Sequence, residues 1–326
     1  MRLLRFRARF GWRGAVLVVG ALLAVAAAAA LLSREISWHR AVLLGAAAFS
    51  PYVALAGSVL ALAAFGVSRS WIGLAVAAVL LACTVVAEAP EFVASAGPGG
   101  AAVTVMTANL HMGGADPAAV VAAVRDRSVA LLMLEELTPA EADALRRAGL
   151  DALLPHAIVD ARPDAAGTGL WSRYPRTARV ERSDFTFAFV TAQAALPQAG
   201  NAPVQLAALH MCGPYPDAGS WVRDIDHLPS VLDAFPAGMP ALVGGDFNAT
   251  PDTAQFRRLL TDGYADAADQ AGAGWTPTYP ADRGPFPLIT IDHVLTRHAV
   301  AVSAEALSIP GTDHRALVTV VRFPHP

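Results

Sequence analysis

Three long stretches without a charged residue open the chain, at 14–32, 41–67 and 70–87. A helix needs about 20 apolar residues to cross a bilayer core, so each stretch predicts a membrane span. The third is the shortest and is open to being a re-entrant or buried helix, and Pro51 predicts a kink in the second. After residue 88 the pattern changes. Residues 89–101, rich in Pro, Gly and Ala, read as a tether. A β-branched run at 102–110 then predicts a strand ending at Asn109, and Asp116 caps a helix that has Pro117 in its first turn and runs to about Arg127. A continuous apolar run at 129–134 has strand length and ends on Glu135 and Glu136; Thr138-Pro139-Ala140-Glu141 is a capping box that opens the next helix.

From there the rhythm is strand-rich. Strands are predicted at 167–171, 185–195 and 204–209, the last delivering His210, followed by a helix at 217–235. The apolar Ala241-Leu242-Val243 opens through two glycines onto Asp246 and Asn248, with a helix at about 252–260 and strands at 288–295 and 315–321 behind it. Runs of strands flanked by helices predict an α/β (α+β) fold: two mixed sheets packed face to face in a four-layer α/β/β/α sandwich, preceded by three transmembrane helices. The expected division is a membrane region at 1–88, the tether at 89–101 and a single large domain at 102–326.

Composition fixes the setting. The chain of 326 residues is 55% hydrophobic and 16% charged, with the apolar excess at the front. Arg2, Arg5, Arg7, Arg9 and Arg13 precede the first span, so the positive-inside bias predicts a cytoplasmic amino terminus and, after three crossings, an extracytoplasmic domain at 102–326. An Arg-rich start, apolar core and Ala run also describe a cleaved signal peptide, which would change the number of spans. There is no lysine, and residues 89–326 hold 16 Arg against 25 Asp plus Glu, a formal charge of −9. A protein that grips long nucleic acid through its phosphates normally has the opposite sign, which counts against a tightly binding nuclease. Cys83 in the third span and Cys212 far away predict no intramolecular disulfide.

The candidate chemistry lies at strand ends. Residues i and i+2 of an extended segment share a face, so Asp246 and Asn248 point the same way and set a carboxylate beside a carboxamide. That pair can orient or deprotonate water and donate a hydrogen bond to a phosphoryl oxygen. Asn109, Glu136, His210, Asp292 and the pair Asp313-His314 also stand where apolar strands end. Taken singly each has a structural explanation: a turn for Asn109, a solvated loop for Glu136 with Glu135 equally available, a hydrogen-bonded histidine for His210. Arg173 and Tyr174 read as a loop.

In order along the chain stand Thr-Ala-Asn-Leu, Leu-Glu-Glu-Leu, Trp-Ser-Arg-Tyr-Pro, Leu-His-Met, Gly-Gly-Asp-Phe-Asn-Ala, Ile-Asp-His-Val-Leu and Thr-Asp-His-Arg-Ala. This series resembles the endonuclease/exonuclease/phosphatase superfamily from about Val103 to the carboxyl end. The resemblance implies a phosphoester hydrolase acting by in-line attack of water, with a phosphodiesterase or phosphatase, an extracytoplasmic nuclease and a non-catalytic membrane-anchored binding module as the alternatives. It implies Asn109 and Glu136 as ligands of Mg²⁺, with Mn²⁺ as a substitute, and Asp313 as a further ligand or water anchor. It implies His210 and Asn248 as donors to phosphate, Asp292 and His314 as a carboxylate–imidazole pair, and either Asp246 or His314 as the group that takes the proton. Thr276 resembles the threonine before an aromatic that lines the family's pocket. His111 stands where some members have an aspartate, which weakens a second metal site and leaves a phosphate or softer metal as its partner. The implied partners are a phosphoester substrate, lipid-linked or nucleic acid, and the bilayer; no protein partner is evident.

Overall fold

The computed structural model describes residues 11–324 and divides into two compact units, 1–36 with 45–89 and 37–44 with 90–326. Arg2, Arg5, Arg7 and Arg9 lie outside the described residues.

Among the described residues three helices are long and apolar enough to cross a membrane, Trp12–Ser33, Ser50–Ser68 and Trp71–Phe92, and all but the last residues of the third belong to the first unit. The first is α1 (Trp12–Ser33). The expected second span of 41–67 is instead two helices. α2 (Ala41–Ala48) stops at Phe49 (φ −95°, ψ 6°), and α3 (Ser50–Ser68) starts afresh with Pro51 in its first turn. Proline lacks the amide and crowds the carbonyl four residues back, so the helix restarts there. The 19 residues of α3 are about 28 Å long at 1.5 Å per residue, close to a bilayer core. α4 (Trp71–Glu88) is capped by Ser70, whose hydroxyl accepts from the amide of Gly73 at 3.2 Å. Small residues bring the helices together: a Cβ on Gly57 would lie 3.1 Å from the carbonyl oxygen of Leu23, and one on Gly73 would lie 2.3 Å from the ring of Phe65. Arg34 and Glu88, both buried, form an ion pair.

The second unit is the expected sandwich. One sheet runs β11-β12-β1-β2-β4-β3 and the other β5-β6-β7-β8-β10-β9. The first contains β1 (Ala102–Asn109), β2 (Leu131–Glu135), β3 (His156–Asp160), β4 (Thr168–Ser172), β11 (Val300–Ser308) and β12 (Arg315–Arg322). The second contains β5 (Arg176–Arg182), β6 (Phe189–Ala195), β7 (Pro203–His210), β8 (Ala241–Asp246), β9 (Tyr264–Asp266) and β10 (Asp292–Arg297). Helices α5 (Pro117–Asp126), α6 (Pro139–Arg147) and α7 (Leu150–Leu153) belong to the first sheet's side, and α8 (Gly219–Asp233), α9 (Ala254–Arg257) and α10 (Ala267–Ala271) follow the strands of the second. β2 shows why its sequence is apolar throughout. Leu131 and Met133 face the other sheet, while Leu132 and Leu134 face the helices. Between the sheets, Ala192, Ala208 and Gly244 leave room for larger partners; a Cβ on Gly244 would fall 2.3 Å from the sulfur of Met133.

Two segments read as connections are part of this unit. In the expected tether, the amide of Ser95 donates to the carbonyl of Gln270 at 2.7 Å, Gly274 donates to Glu91 at 2.7 Å, and the rings of Phe92 and Trp275 stand 6.3 Å apart. Between α1 and α3, the carbonyl of Trp38 accepts from Gln255 at 2.6 Å and Leu44 is buried in the core behind the second sheet. Apolar Phe92, Trp38 and Leu44 account for the docking, where composition had predicted a tether at 89–101 and a membrane span from residue 41.

Candidate active site

The strand registers assemble the site. β7 and β8 run parallel with His210 opposite Asp246, and β10 runs antiparallel to β8 with Asp292 opposite Asp246. The carboxyl ends of two strands and the start of a third therefore set three polar side chains side by side, at the roughly 4.8 Å spacing of a sheet. Across the sandwich, β1 ends on Asn109 beside Glu135 of β2, and antiparallel β12 starts just after Asp313 and His314. Glu136 (φ 53°) and Asn248 (φ 48°) follow the ends of β2 and β8 in the left-handed region. Non-glycine residues are uncommon there, and such strain gathers at functional sites.

Hydrogen bonds and close ion-pair contacts tie all eight candidate residues into one network. His314 Nδ1 lies 2.8 Å from Asp292 Oδ2, and its Nε2 lies 3.8 Å from Asp246 Oδ2. Asn109 Nδ2 donates to Asp246 Oδ2 at 3.0 Å and to Glu136 Oε1 at 3.1 Å; the amide of Met112 donates to Glu136 Oε2 at 2.8 Å. The amide of Asn248 donates to Asp246 Oδ1 at 2.8 Å, and its Nδ2 donates to the carbonyl of Met211 at 2.7 Å and lies 3.4 Å from His210 Nε2. Asp313 joins at the edge through His111, whose Nδ1 is 2.7 Å from Asp313 Oδ1 and whose amide donates to Asn109 Oδ1 at 2.9 Å. His111 is therefore occupied by Asp313.

Burial and charge set the protonation states. Burial works against a charged His314, but Asp292, Asp246 and Asp313 overcome it and push its pKa up to about 10. Burial first, and then Asp292, raise the Asp246 carboxyl to about 7. Burial lowers His210 to about 4, only partly offset by the carbonyl of Ala165. A carbonyl can only accept, so Nδ1 of His210 donates to Ala165 at 2.9 Å and the neutral ring turns its Nε2 lone pair toward the site. A role of His210 as a donor to phosphate therefore calls for a second proton on the ring.

Among the described residues, Asp246, Asp292 and His314 bring one possible ligand atom each to within 4.8 Å of one another. Glu136 and Asn109 adjoin them through Asp246. Asp292 Oδ1 and Glu135 Oε2 are buried without a hydrogen-bond partner. The carboxylates of Glu136, Asp246 and Asp292 and the carboxamide oxygen of Asn109 are hard oxygen donors with lone pairs beyond the hydrogen bonds they accept, and such a set fits a divalent cation such as Mg²⁺.

Several contributors escaped notice in the sequence. Glu135, set aside in favour of Glu136, points between the sheets; its Oε1 accepts from Thr107 at 2.9 Å, while burial and Asp292 hold its pKa well above the usual range. Period-2 alternation along β2 assigns that direction. The threonine that meets the site is Thr278 rather than Thr276: its Oγ1 accepts from the amide of Asp292 at 3.4 Å, and neighbouring Tyr279 lies 4.8 Å from the ring of His314. Threonine directly before an aromatic fits Thr278-Tyr279, whereas Thr276 precedes a proline. Thr312 Oγ1 donates to the carbonyl of Asn109 at 2.7 Å. His293, fully buried, connects Asp266 Oδ2 at 2.6 Å to the carbonyl of Ala249 at 2.9 Å and so props the Asp246–Asn248 loop from below. Arg173 and Tyr174 are structural: the guanidinium donates to the carbonyl of Val129 at 2.9 Å, and the phenol accepts from Gln198 at 2.8 Å.

Two packed mixed sheets carrying carboxylates, carboxamides and imidazoles along one shared edge define a four-layer hydrolase sandwich. A sequence model described as the Endonuclease/Exonuclease/phosphatase family matches residues 106–314. The chain belongs to this family, whose enzymes hydrolyse phosphoesters. A search of curated proteins found no match. Among solved structures, an endonuclease/exonuclease/phosphatase from Beutenbergia cavernae DSM 12333 is similar at 21% identity, covering 68% of this chain and 72% of that one with a TM-score of 0.53. D. rerio TDP2, complexed with a single-strand DNA product, is similar at 12% identity over 68% of this chain and 99% of its own, TM-score 0.58. A Bacteroides thetaiotaomicron VPI-5482 mannosyl-6-phosphatase is similar at 13% identity over 68% and 100%, TM-score 0.53.

Proposed function

We propose that the protein is a membrane-anchored, divalent-metal-dependent hydrolase that cleaves a phosphodiester or phosphomonoester by in-line attack of water. The observation that carries this is the convergence of the Asp292–His314 pair with Asp246 and with Asn109–Glu136, drawn from both sheets. With its pKa near 10, His314 is an imidazolium at neutral pH; Asp292 fixes the ring and Nε2–H faces outward as a donor. Asp246 then orients the attacking water and takes its proton. The water oxygen forms the new P–O bond, the bond to the leaving oxygen breaks, and His314 supplies the proton that oxygen needs. Asn248 steadies the phosphoryl oxygens as charge builds on them. Glu136 and Asn109 would hold a Mg²⁺ or Mn²⁺ ion, which when bound supplies Lewis-acid polarisation of the phosphoryl group.

The three apolar helices support a multi-pass anchor in the cell membrane, with the amino terminus cytoplasmic and the catalytic unit outside. The acidity of residues 89–326 favours a small or lipid-linked phosphoester over long nucleic acid. The full chain, purified in detergent, is expected to hydrolyse bis-p-nitrophenyl phosphate or p-nitrophenyl phosphate only with Mg²⁺ or Mn²⁺ present. Undiminished turnover in Asp246→Ala or His314→Ala overturns the assignment.

A further inference from the structure

The loop that leaves β7 passes the site and then builds a second feature. Gly213 lies against Asn248, where an added Cβ would be 3.4 Å from Oδ1, and two residues on stands Tyr215, 80% exposed. Tyr215, Pro216 and Asp217 form one wall of a groove of about 570 Å³; His39, Arg40 and Leu43 form the other. Both walls belong to the same compact unit.

The second wall has an unusual origin, because it is the segment between two apolar helices. α1 ends at Ser33 and α3 begins at Ser50, so at about 3.5 Å per residue no part of Ser37–Leu44 is more than about 28 Å of chain from a span end. Its chemistry is also out of keeping with its surroundings. In a part of the protein with a formal excess of acid, the groove presents the exposed cation Arg40 and the imidazole of His39, beside apolar Leu43 and an aromatic ring with a polar tip. The single carboxylate there, Asp217, accepts from the amide of Gly219 at 3.2 Å. Tyrosine and arginine flanking an apolar cleft suit the level of lipid head groups, where ring and stem lie in a greasy layer and the polar ends face anions.

We propose that this groove seats the hydrocarbon-proximal part of a membrane-borne phosphoester, an anionic amphiphile whose phosphoryl group reaches Asp246 and His314 over Gly213 while its chain remains in the bilayer. The inference rests on the hydrolase assignment and on α1, α3 and α4 being membrane spans. Arg40 pairs with the head group's charge, and Tyr215 and Leu43 cover its first methylenes. Hydrocarbon burial of about 0.8 kcal/mol per methylene amounts to roughly fourfold each, so three or four covered methylenes give an advantage on the order of 100-fold.

The test holds the scissile bond constant and varies only the chain. The full chain in phosphatidylcholine nanodiscs is assayed on dodecyl against methyl p-nitrophenyl phosphate, and on dodecyl against methyl phosphate. The dodecyl form is expected to exceed the methyl form at least tenfold in kcat/KM. Tyr215→Ala and Leu43→Ala, both in the groove wall that covers the chain and outside the catalytic network, should cut that advantage at least fivefold and leave turnover of the methyl ester unchanged. The groove assignment is overturned if methyl esters are hydrolysed without a chain preference, if the preference survives both substitutions, or if a single-stranded oligonucleotide is preferred to either dodecyl ester. Failure to hydrolyse either pair would remove the hydrolase assignment and this inference with it.

Discussion

Asp292→Asn isolates the charge that organises the site while leaving the shape nearly unchanged. The asparagine oxygen still accepts from His314 Nδ1, and the backbone of residue 292 still donates to Thr278. The substitution removes the principal anion opposing the burial of the imidazolium, so the His314 pKa falls from about 10 toward or below its ordinary 6.5. The sign follows from linkage. A histidine with a folded pKa raised from 6.5 to about 10 contributes stability fully present below pH 6.5 and lost as pH rises through 10; in the variant that slope disappears. A charge-assisted hydrogen bond contributes up to about 3 kcal/mol, which at 1.36 kcal/mol per decade is a fall in kcat on the order of 100-fold. At neutral pH the variant also loses stability, because the contribution of the raised His314 pKa is still almost fully present there, and the loss is offset only in part by relieving the crowding of Asp292 with the acids Asp246 and Glu135. Turnover of bis-p-nitrophenyl phosphate with Mg²⁺, thermal unfolding, and NMR titration of His314 in the metal-free protein measure the three effects. A variant within fivefold of the parent kcat, or one whose His314 still titrates near 10, would refute the role given to Asp292.

Three further outcomes follow from the same geometry. Gly245→Ala places a Cβ 1.8 Å from the carbonyl oxygen of Leu209, so β7 and β8 must separate beneath Asp246; a stability loss of roughly 3 kcal/mol or more is expected in chemical unfolding, and a folded variant of normal activity would contradict it. Glu141, in the first turn of α6, is pushed up to about 7 by burial and by Asp116. Its neutral form is preferred in the fold, so its contribution is present below pH 4.5 and lost as pH rises through 7; Glu141→Gln should therefore raise the unfolding temperature at pH 8 and have little effect at pH 5. His293→Phe fills the same buried space but cannot donate to the carbonyl of Ala249, and a tenfold or greater fall in kcat with KM little changed is expected if His293 positions the Asp246–Asn248 loop.

Much of the site was legible because its residues interrupt apolar runs where a strand must stop. Asn109, His210 and Asp246 each follow a stretch free of charged residues and rich in apolar ones, and a polar group there either faces solvent or has a task. Elements without that contrast were missed. β5 (Arg176–Arg182) is mostly exposed and rich in arginine, and β11 (Val300–Ser308) is an edge strand that buries little on either face. In both, backbone pairing rather than side-chain burial makes the strand. Glu135 and Glu136 are indistinguishable by type; only the pleat of β2 turns one between the sheets and the left-handed turn aims the other at Asn109. The pair His293–Asp266 spans 27 residues and shows no local signal at all. The docking of 37–44 was hidden because apolar residues between two spans read equally well as lipid-facing helix.

The division of the site between the two sheets has a practical outcome. Asn109 and Glu136 come from strands laid down early in the chain, His210, Asp246 and Asp292 from the middle, and His314 from a strand that returns to the first sheet at the very end. No half-molecule contains a working set. Turnover thus becomes a readout of complete sandwich assembly, and fragments divided at the exposed β6–β7 hairpin near Asn201 should be silent apart and active only once the two faces have closed on each other.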